Sequence, residues 1–311
     1  MRYRPLGNTG INLSVIGFGS APLGNMFGPV DVAETERAIH LAIDRGINFF
    51  DVAPYYGKTL AEERLGAALA GKRDQVVLSS KCGRYDVASF DFSAARVKTS
   101  IEESLRRLRT DHLDLFIDHD IEFGDREQVV HETIPAMREL QRQGKVRFIG
   151  ISGLPLKILA DVAERGPVDF VLSYCHYNLI GRDLDDWLTP VLEKHRMGLI
   201  NAAAVHLRIL THAGPTAGHP APEAIKKAGA EVVRLCDARG VDAAVLSLAF
   251  CLGHRYAAST LAGMSNVAEL EQNLTALNLT PDAGLLAEID QILAPLEHRV
   301  WPSGRPENHD F

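Results

Sequence analysis

Short apolar runs recur along the chain with room for one amphipathic helix between successive runs. They lie at Val15–Gly19, Ile47–Asp51, Val76–Ser80, Leu113–Ile117, Val146–Ile151, Phe170–Ser173, Leu199–Ala203 and Ala258–Ala262. The runs seldom alternate apolar with polar, as is expected of parallel strands covered on both faces. Between them the period changes to that of helices. Asp31 with Glu34 has the form of a capping box ahead of Ala38, Ile39, Ala42 and Ile43, and Ser93 precedes a face of Val97, Ile101, Leu105 and Leu108. Gly46, Gly71, Gly144, Gly166 and Gly198 stand just before the next strand. Each is expected to close a helix in the left-handed conformation.

Eight strands alternating with helices, without a linker or low-complexity break, predict an α/β fold: one closed (β/α)8 TIM barrel over residues 1–311. Tyr3–Leu6 against Ile11–Ser14 reads as an N-terminal β-hairpin that plugs the barrel bottom, and the tail RVWPSGRP reads as a loop folding back over the opposite rim. An open dinucleotide-binding sheet would need GxGxxG between strand and helix. Gly17, Gly19 and Gly24 in GFGSAPLG misplace the third glycine and carry Pro22 between, so that alternative is rejected.

Composition narrows the function classes without choosing one. A content of 46% hydrophobic and 23% charged residues is that of a soluble globular protein, and the net charge of −7 disfavours nucleic-acid and anionic-membrane binding. Cys82, Cys175, Cys236 and Cys251 form no CxxC pair, which suggests free thiols in a reducing cytoplasm rather than a metal site or a disulfide framework. MRYRPLGNTG lacks a signal-peptide core, and no run approaches the roughly 20 apolar residues of a membrane span. Nothing in the sequence indicates an oligomeric state.

Candidate chemistry collects at strand ends. Asp51 closes the second strand, Tyr56 follows five residues later, Lys81 closes the third strand, and His119 lies just past the fourth. A barrel brings such ends to one rim, where active sites lie. An ammonium beside a phenol stabilises the phenolate, so Lys81 is expected to lower the pKa of Tyr56. Asp51 would hold Lys81, and His119 would orient or polarise the reacting oxygen.

With the segment GINFFDVAPYYGKTLAEERLG, strand-end Lys81, LDLFIDH and GKVRFIGIS, the chain resembles the aldo-keto reductase superfamily over nearly its full length. The resemblance implies a catalytic Asp51, Tyr56, Lys81, His119 tetrad and a nicotinamide cofactor held without a Rossmann domain. VLSYCHYNL and LAGMSNVAELEQNL are most similar to the sugar 1-dehydrogenases of L-galactose and L-fucose type. They imply oxidation of an aldose at C1 to the lactone, with Tyr56 as general base. An NADPH-dependent aldehyde or ketone reductase, with Tyr56 as acid, is the alternative. A nucleotide-sensing partner protein is a third, disfavoured by the complete tetrad.

The same resemblance assigns cofactor contacts to Ser152, Tyr174, Asn201, Ala202, Gly263, Met264, Ser265, Glu269, Gln272 and Asn273. Gly153 and Tyr174 stand where many relatives carry Asn and Gln, and Ala202 and Ala203 are smaller than usual there. Glu269 occupies a place where NADPH-preferring relatives commonly have a basic residue, and no Lys or Arg occurs between Thr260 and Asn273. A carboxylate there repels a 2′-phosphate, so NAD is expected over NADP. Tyr55, Phe27, Phe123, His176 and Trp301 are candidate walls for a sugar substrate, since sugar faces stack on aromatic rings. His206 and Arg208 depart from the subgroup pattern, with contact to phosphate or substrate and a structural role both open.

Overall fold

Eight parallel strands close on themselves in the computed structural model, which describes residues 1–311. They are β3 (Ile16–Gly19), β4 (Phe49–Asp51), β5 (Val77–Asp86), β7 (Leu113–Asp118), β8 (Val146–Gly153), β9 (Phe170–Tyr174), β10 (Gly198–Ala202) and β11 (Ser259–Gly263). Each pairs with the next in that order, and β11 returns to β3 to complete the ring. Helices pack outside, and a large core fills the layer between them and the barrel. The hairpin of β1 (Tyr3–Pro5) and β2 (Asn12–Ser14) closes one end: Leu6, Ile11 and Leu13 pack with Phe49, Leu115, Ile117 and Phe170 in a separate interior cluster.

Strand periodicity then aims the chemistry. Phe49 belongs to the interior and Phe50 to the outer layer; Leu115 and Ile117 are interior, Phe116 outer. Stepping by two along each strand puts Asp51 after Phe49, Lys81 after Val77 and Ser79, and His119 after Ile117 on the inward face. The apolar plug therefore ends at one level, and the tetrad begins one pleat above it.

Three features depart from expectation. The strand β5 runs past Ser80 to Asp86, because β6 (Ser89–Asp91) folds back antiparallel on it with Arg84 opposite Phe90. Of the five glycines, Gly46, Gly71 and Gly144 are left-handed, but Gly166 is extended at φ −105° and Gly198 begins β10. The left-handed stop before β10 is Arg196, at φ 56°. Asp31 and Ser93 do cap their helices through their side chains, although Glu34 turns away to the Val267 amide instead of completing a box.

The tail crosses the upper rim. Ser303 Oγ donates to Glu122 Oε1, the Arg305 amide to the Glu122 carbonyl, and Asn308 Nδ2 to the carbonyls of Glu122 and Gly124. Asp310 accepts from the amides of Leu156 and Lys157, capping a helix whose own N-cap, Pro155, has no side-chain acceptor.

Candidate active site

The Lys81 ammonium has its hydrogens directed at three acceptors: Asp51 Oδ2 at 2.5 Å, the Val52 carbonyl at 2.9 Å and the Tyr56 hydroxyl at 3.4 Å. Asp51 Oδ1 accepts from Ser79 Oγ at 2.7 Å. The Lys81 and Asp51 side chains are 1% and 3% exposed, so water does not compete for this pair. Tyr56 reaches it from a loop in which Gly57, Lys58 and Thr59 are all left-handed. Gly57, at φ 64°, lies against Gly24, and a Cβ there would run into the Gly24 carbonyl. The loop after β3 thus braces the loop that carries the phenol. His119 stands edge-on to the Tyr56 ring, with centroids 5.9 Å apart.

Electrostatics alter one expectation. The Tyr56 phenol is pushed well above its ordinary range, first by burial, then by the carboxylates of Asp51 and Asp120; Arg84 opposes them. The contact from Lys81 does not bring the phenol down as its proximity alone suggests, because burial and these carboxylates outweigh it. Burial, aided by Lys81 and Arg84 and opposed by Asp120, takes His119 down to about 3, so the imidazole is neutral at physiological pH. Its Nδ1 is buried and has no partner.

Beside the tetrad stand three ionisable residues that the strand-end pattern did not single out. Asp120 follows His119, and its Oδ2 takes a hydrogen bond from Arg84 Nη1 at 2.6 Å. Arg84 lies with its guanidinium carbon 3.9 Å from the Tyr55 ring centre. Glu122 is fully buried; its Oε1 accepts from the Leu154 amide, Ser303 Oγ and the Tyr174 hydroxyl, while Oε2 has no partner. A Cβ at position 153 would fall 2.6 Å from that oxygen, so Gly153 leaves the space Glu122 fills.

Burial, reinforced by Asp120, pushes the Glu122 carboxyl up to about 8. A folded pKa above the unfolded one means the native state binds the extra proton, so this group's stabilisation is complete below about pH 4.5 and is lost as pH rises through about 8. Glu122→Gln keeps the shape without the titration. Urea unfolding at several pH values should show wild-type stability falling between pH 5 and 8 more steeply than that of the variant. Parallel curves would contradict this assignment.

The positions assigned to the cofactor fall around the upper ends of β8 to β11. Ser152 is buried at the end of β8, Tyr174 and Ala202 end neighbouring strands, and Asn201 donates to the Tyr177 carbonyl while its Oδ1 lacks a partner. Gly263 ends β11 and Met264 is packed in the core. The helix Val267–Thr275 begins beyond Ser265, with Asn266 as its N-cap. Glu269 Oε2 accepts from both Ser265 N, at 2.7 Å, and Ser265 Oγ, at 3.0 Å. Gln272 reaches Asp242, and Asn273 Nδ2 faces the Gly263 carbonyl at 3.5 Å. A helix N-terminus with an adjoining serine, together with an unpartnered buried amide oxygen at Asn201, fits the polar groups of a dinucleotide.

The candidate walls divide. Tyr55 is beside the tetrad, its ring 5.9 Å from that of Tyr56 and 6.1 Å from that of His119, and Phe123 stacks on Phe90 at 4.2 Å across Arg84. Phe27 is 43% exposed under the Arg208 guanidinium. His176, expected as a wall, is fully enclosed with both ring nitrogens engaged, Nδ1 on Asp183 and Nε2 on the Leu154 carbonyl, and so has no free ring nitrogen to offer a substrate. Trp301 is buried with the edges of His206 and His219 against it, while the residues just after it cover Glu122.

The sequence pattern of the Aldo/keto reductase family matches residues 15–294. L-galactose dehydrogenase of Arabidopsis thaliana is 44% identical over 318 aligned positions, covering 99% of each chain. D-threo-aldose 1-dehydrogenase of a Pseudomonas species is 26% identical, covering 90% of this chain and 94% of that one. Among solved structures, the holo form of an aldo-keto reductase from Bacillus halodurans superposes with a TM-score of 0.77 at 26% identity, covering 96% and 99% of the two chains.

Proposed function

The chain belongs to the aldo/keto reductase family and is an oxidoreductase that uses a nicotinamide cofactor; on that premise we propose that it oxidises an aldose of L-galactose or L-fucose type at C1 to the lactone, with NAD preferred. The observation that carries the substrate class is the 44% identity to L-galactose dehydrogenase along both full lengths. The cytoplasm is part of this reading: the four cysteines are buried free thiols.

The bound nicotinamide supplies the hydride acceptor. Tyr56, as the phenolate, takes the proton of the C1 hydroxyl and becomes the phenol, and Lys81, held by Asp51, donates to its oxygen before and after the transfer. The neutral imidazole of His119 orients the hydroxyl without adding a charge that would oppose loss of hydride. The raised phenol favours a second reading, reduction of a carbonyl with Tyr56 as acid, because a protonated tyrosine is ready to donate.

The cofactor preference is supported by Glu269. Its carboxylate already occupies the amide and hydroxyl of Ser265 ahead of a helix N-terminus, where a 2′-phosphate would have to displace like charge. A ribose hydroxyl can instead donate to it. A panel of aldoses and aldehydes, assayed with NAD⁺, NADP⁺ and their reduced forms, tests both halves. L-galactose or L-fucose should be oxidised, with kcat/KM for NAD⁺ higher by about tenfold or more. Equal cofactor values sink the preference, and aldehyde reduction by NADPH with no aldose oxidised establishes the second reading.

A further inference from the structure

Four polar atoms around the tetrad are buried and unpartnered: Asp120 Oδ1, Arg84 Nε, Glu122 Oε2 and His119 Nδ1. Buried polar groups normally find partners, and several orphans clustered at one rim point to a ligand that supplies them. Arg84 and Asp120 are the most informative pair. A guanidinium and a carboxylate commonly meet through two parallel bonds. Here a single bond, Nη1 to Oδ2, joins them, and the second donor and second acceptor stay open on the same two groups.

Both groups are held firmly. The Asp120 backbone sits in the left-handed region at φ 56°, ψ 57°, fixed between His119 and the turn through Phe123, and the residue is 2% exposed. Tyr55 lies against the Arg84 guanidinium, while the stacked Phe90 and Phe123 rings each stand 5.4 Å from its carbon. Asp120 Oδ2 is 3.7 Å from His119 Nε2, so the open atoms lie beside the reacting centre.

From this geometry we infer that Asp120 and Arg84 form a subsite that reads neighbouring sugar hydroxyls next to the reacting carbon. One hydroxyl donates to Asp120 Oδ1 and its vicinal neighbour accepts from Arg84 Nε. The Glu122 carboxyl, neutral at physiological pH, adds a third polar position beyond them. The inference rests on the aldose reading and specifies how an aldose is told from a simple aldehyde. A ligand lacking the hydroxyl leaves a buried ionic group unpaired, which discriminates more strongly than a loss of apolar contact does.

Monodeoxy aldoses with the hydroxyl removed in turn at C2, C3 and C4 test this on the wild-type enzyme. Two of them, lacking hydroxyls at adjacent carbons, should each lose about 10- to 100-fold in kcat/KM relative to the parent sugar, as expected for a hydrogen bond to a charged group. In Asp120→Ala the penalty for the hydroxyl read by Asp120 should collapse to within about threefold, and in Asp120→Ala/Arg84→Met, which leaves no unpaired guanidinium, both penalties should. A structural role alone would slow parent and deoxy sugars alike and leave the ratio unchanged. Aldose oxidation with no wild-type deoxy penalty, or with an undiminished penalty in the folded variants, overturns the subsite and spares the proposed function. Failure to oxidise any aldose overturns both.

Discussion

Tyr56→Phe is expected to lower kcat by about 10²- to 10⁴-fold, the usual contribution of a positioned acid–base group, while the protein stays folded. The substitution removes one oxygen, and Lys81 keeps its two shorter contacts, to Asp51 and the Val52 carbonyl. Thermal melting should therefore change little, and turnover with the best aldose and NAD⁺ should disappear. Retention of more than about a tenth of wild-type kcat would falsify the proton role. Wild-type oxidation should also accelerate with pH, because a phenol held above its ordinary range is mostly protonated at neutrality and its base form grows tenfold per pH unit. The reductive direction should show the opposite trend, since there Tyr56 must begin protonated.

That prediction joins a part of the site visible in the sequence with a part that was not. The strand runs were legible because burial on both faces imposes continuous apolar stretches, and the strand-end positions of Asp51, Lys81 and His119 follow from them. The extension of β5 was hidden: Lys81, Gly83 and Arg84 interrupt any apolar pattern, and the pairing comes from Phe90 across a turn. Arg84 and Asp120 are 36 residues apart and meet only because β5 and β7 are neighbours, with Cys82 opposite Asp118. Glu122 is enclosed by residues from three separate segments, through Leu154, Tyr174 and Ser303. The HDIEF sequence following β7 offered the one local signal, acidic residues directly after the strand-end histidine. The direction of the Tyr56 shift was equally out of reach, since it depends on how burial and the surrounding charges combine in space.

The Asp51–Lys81 pair separates stability from catalysis. Removing either partner strands the other charge: Lys81→Met leaves Asp51 with only Ser79 Oγ, and Asp51→Leu leaves the ammonium facing a carbonyl and a phenol. Each single variant should lose about 3–5 kcal/mol of stability in urea, the cost typical of an uncompensated buried charge. The double variant Asp51→Leu/Lys81→Met removes both charges from a site with almost no solvent access, so it should recover most of that loss. Its turnover should stay as low as that of the singles, because no ammonium remains to stabilise the phenolate of Tyr56. A double variant no more stable than the weaker single would mean the pair is not coupled as drawn. Recovered activity alongside recovered stability would mean that Lys81 serves the fold and leaves the tyrosine to act alone.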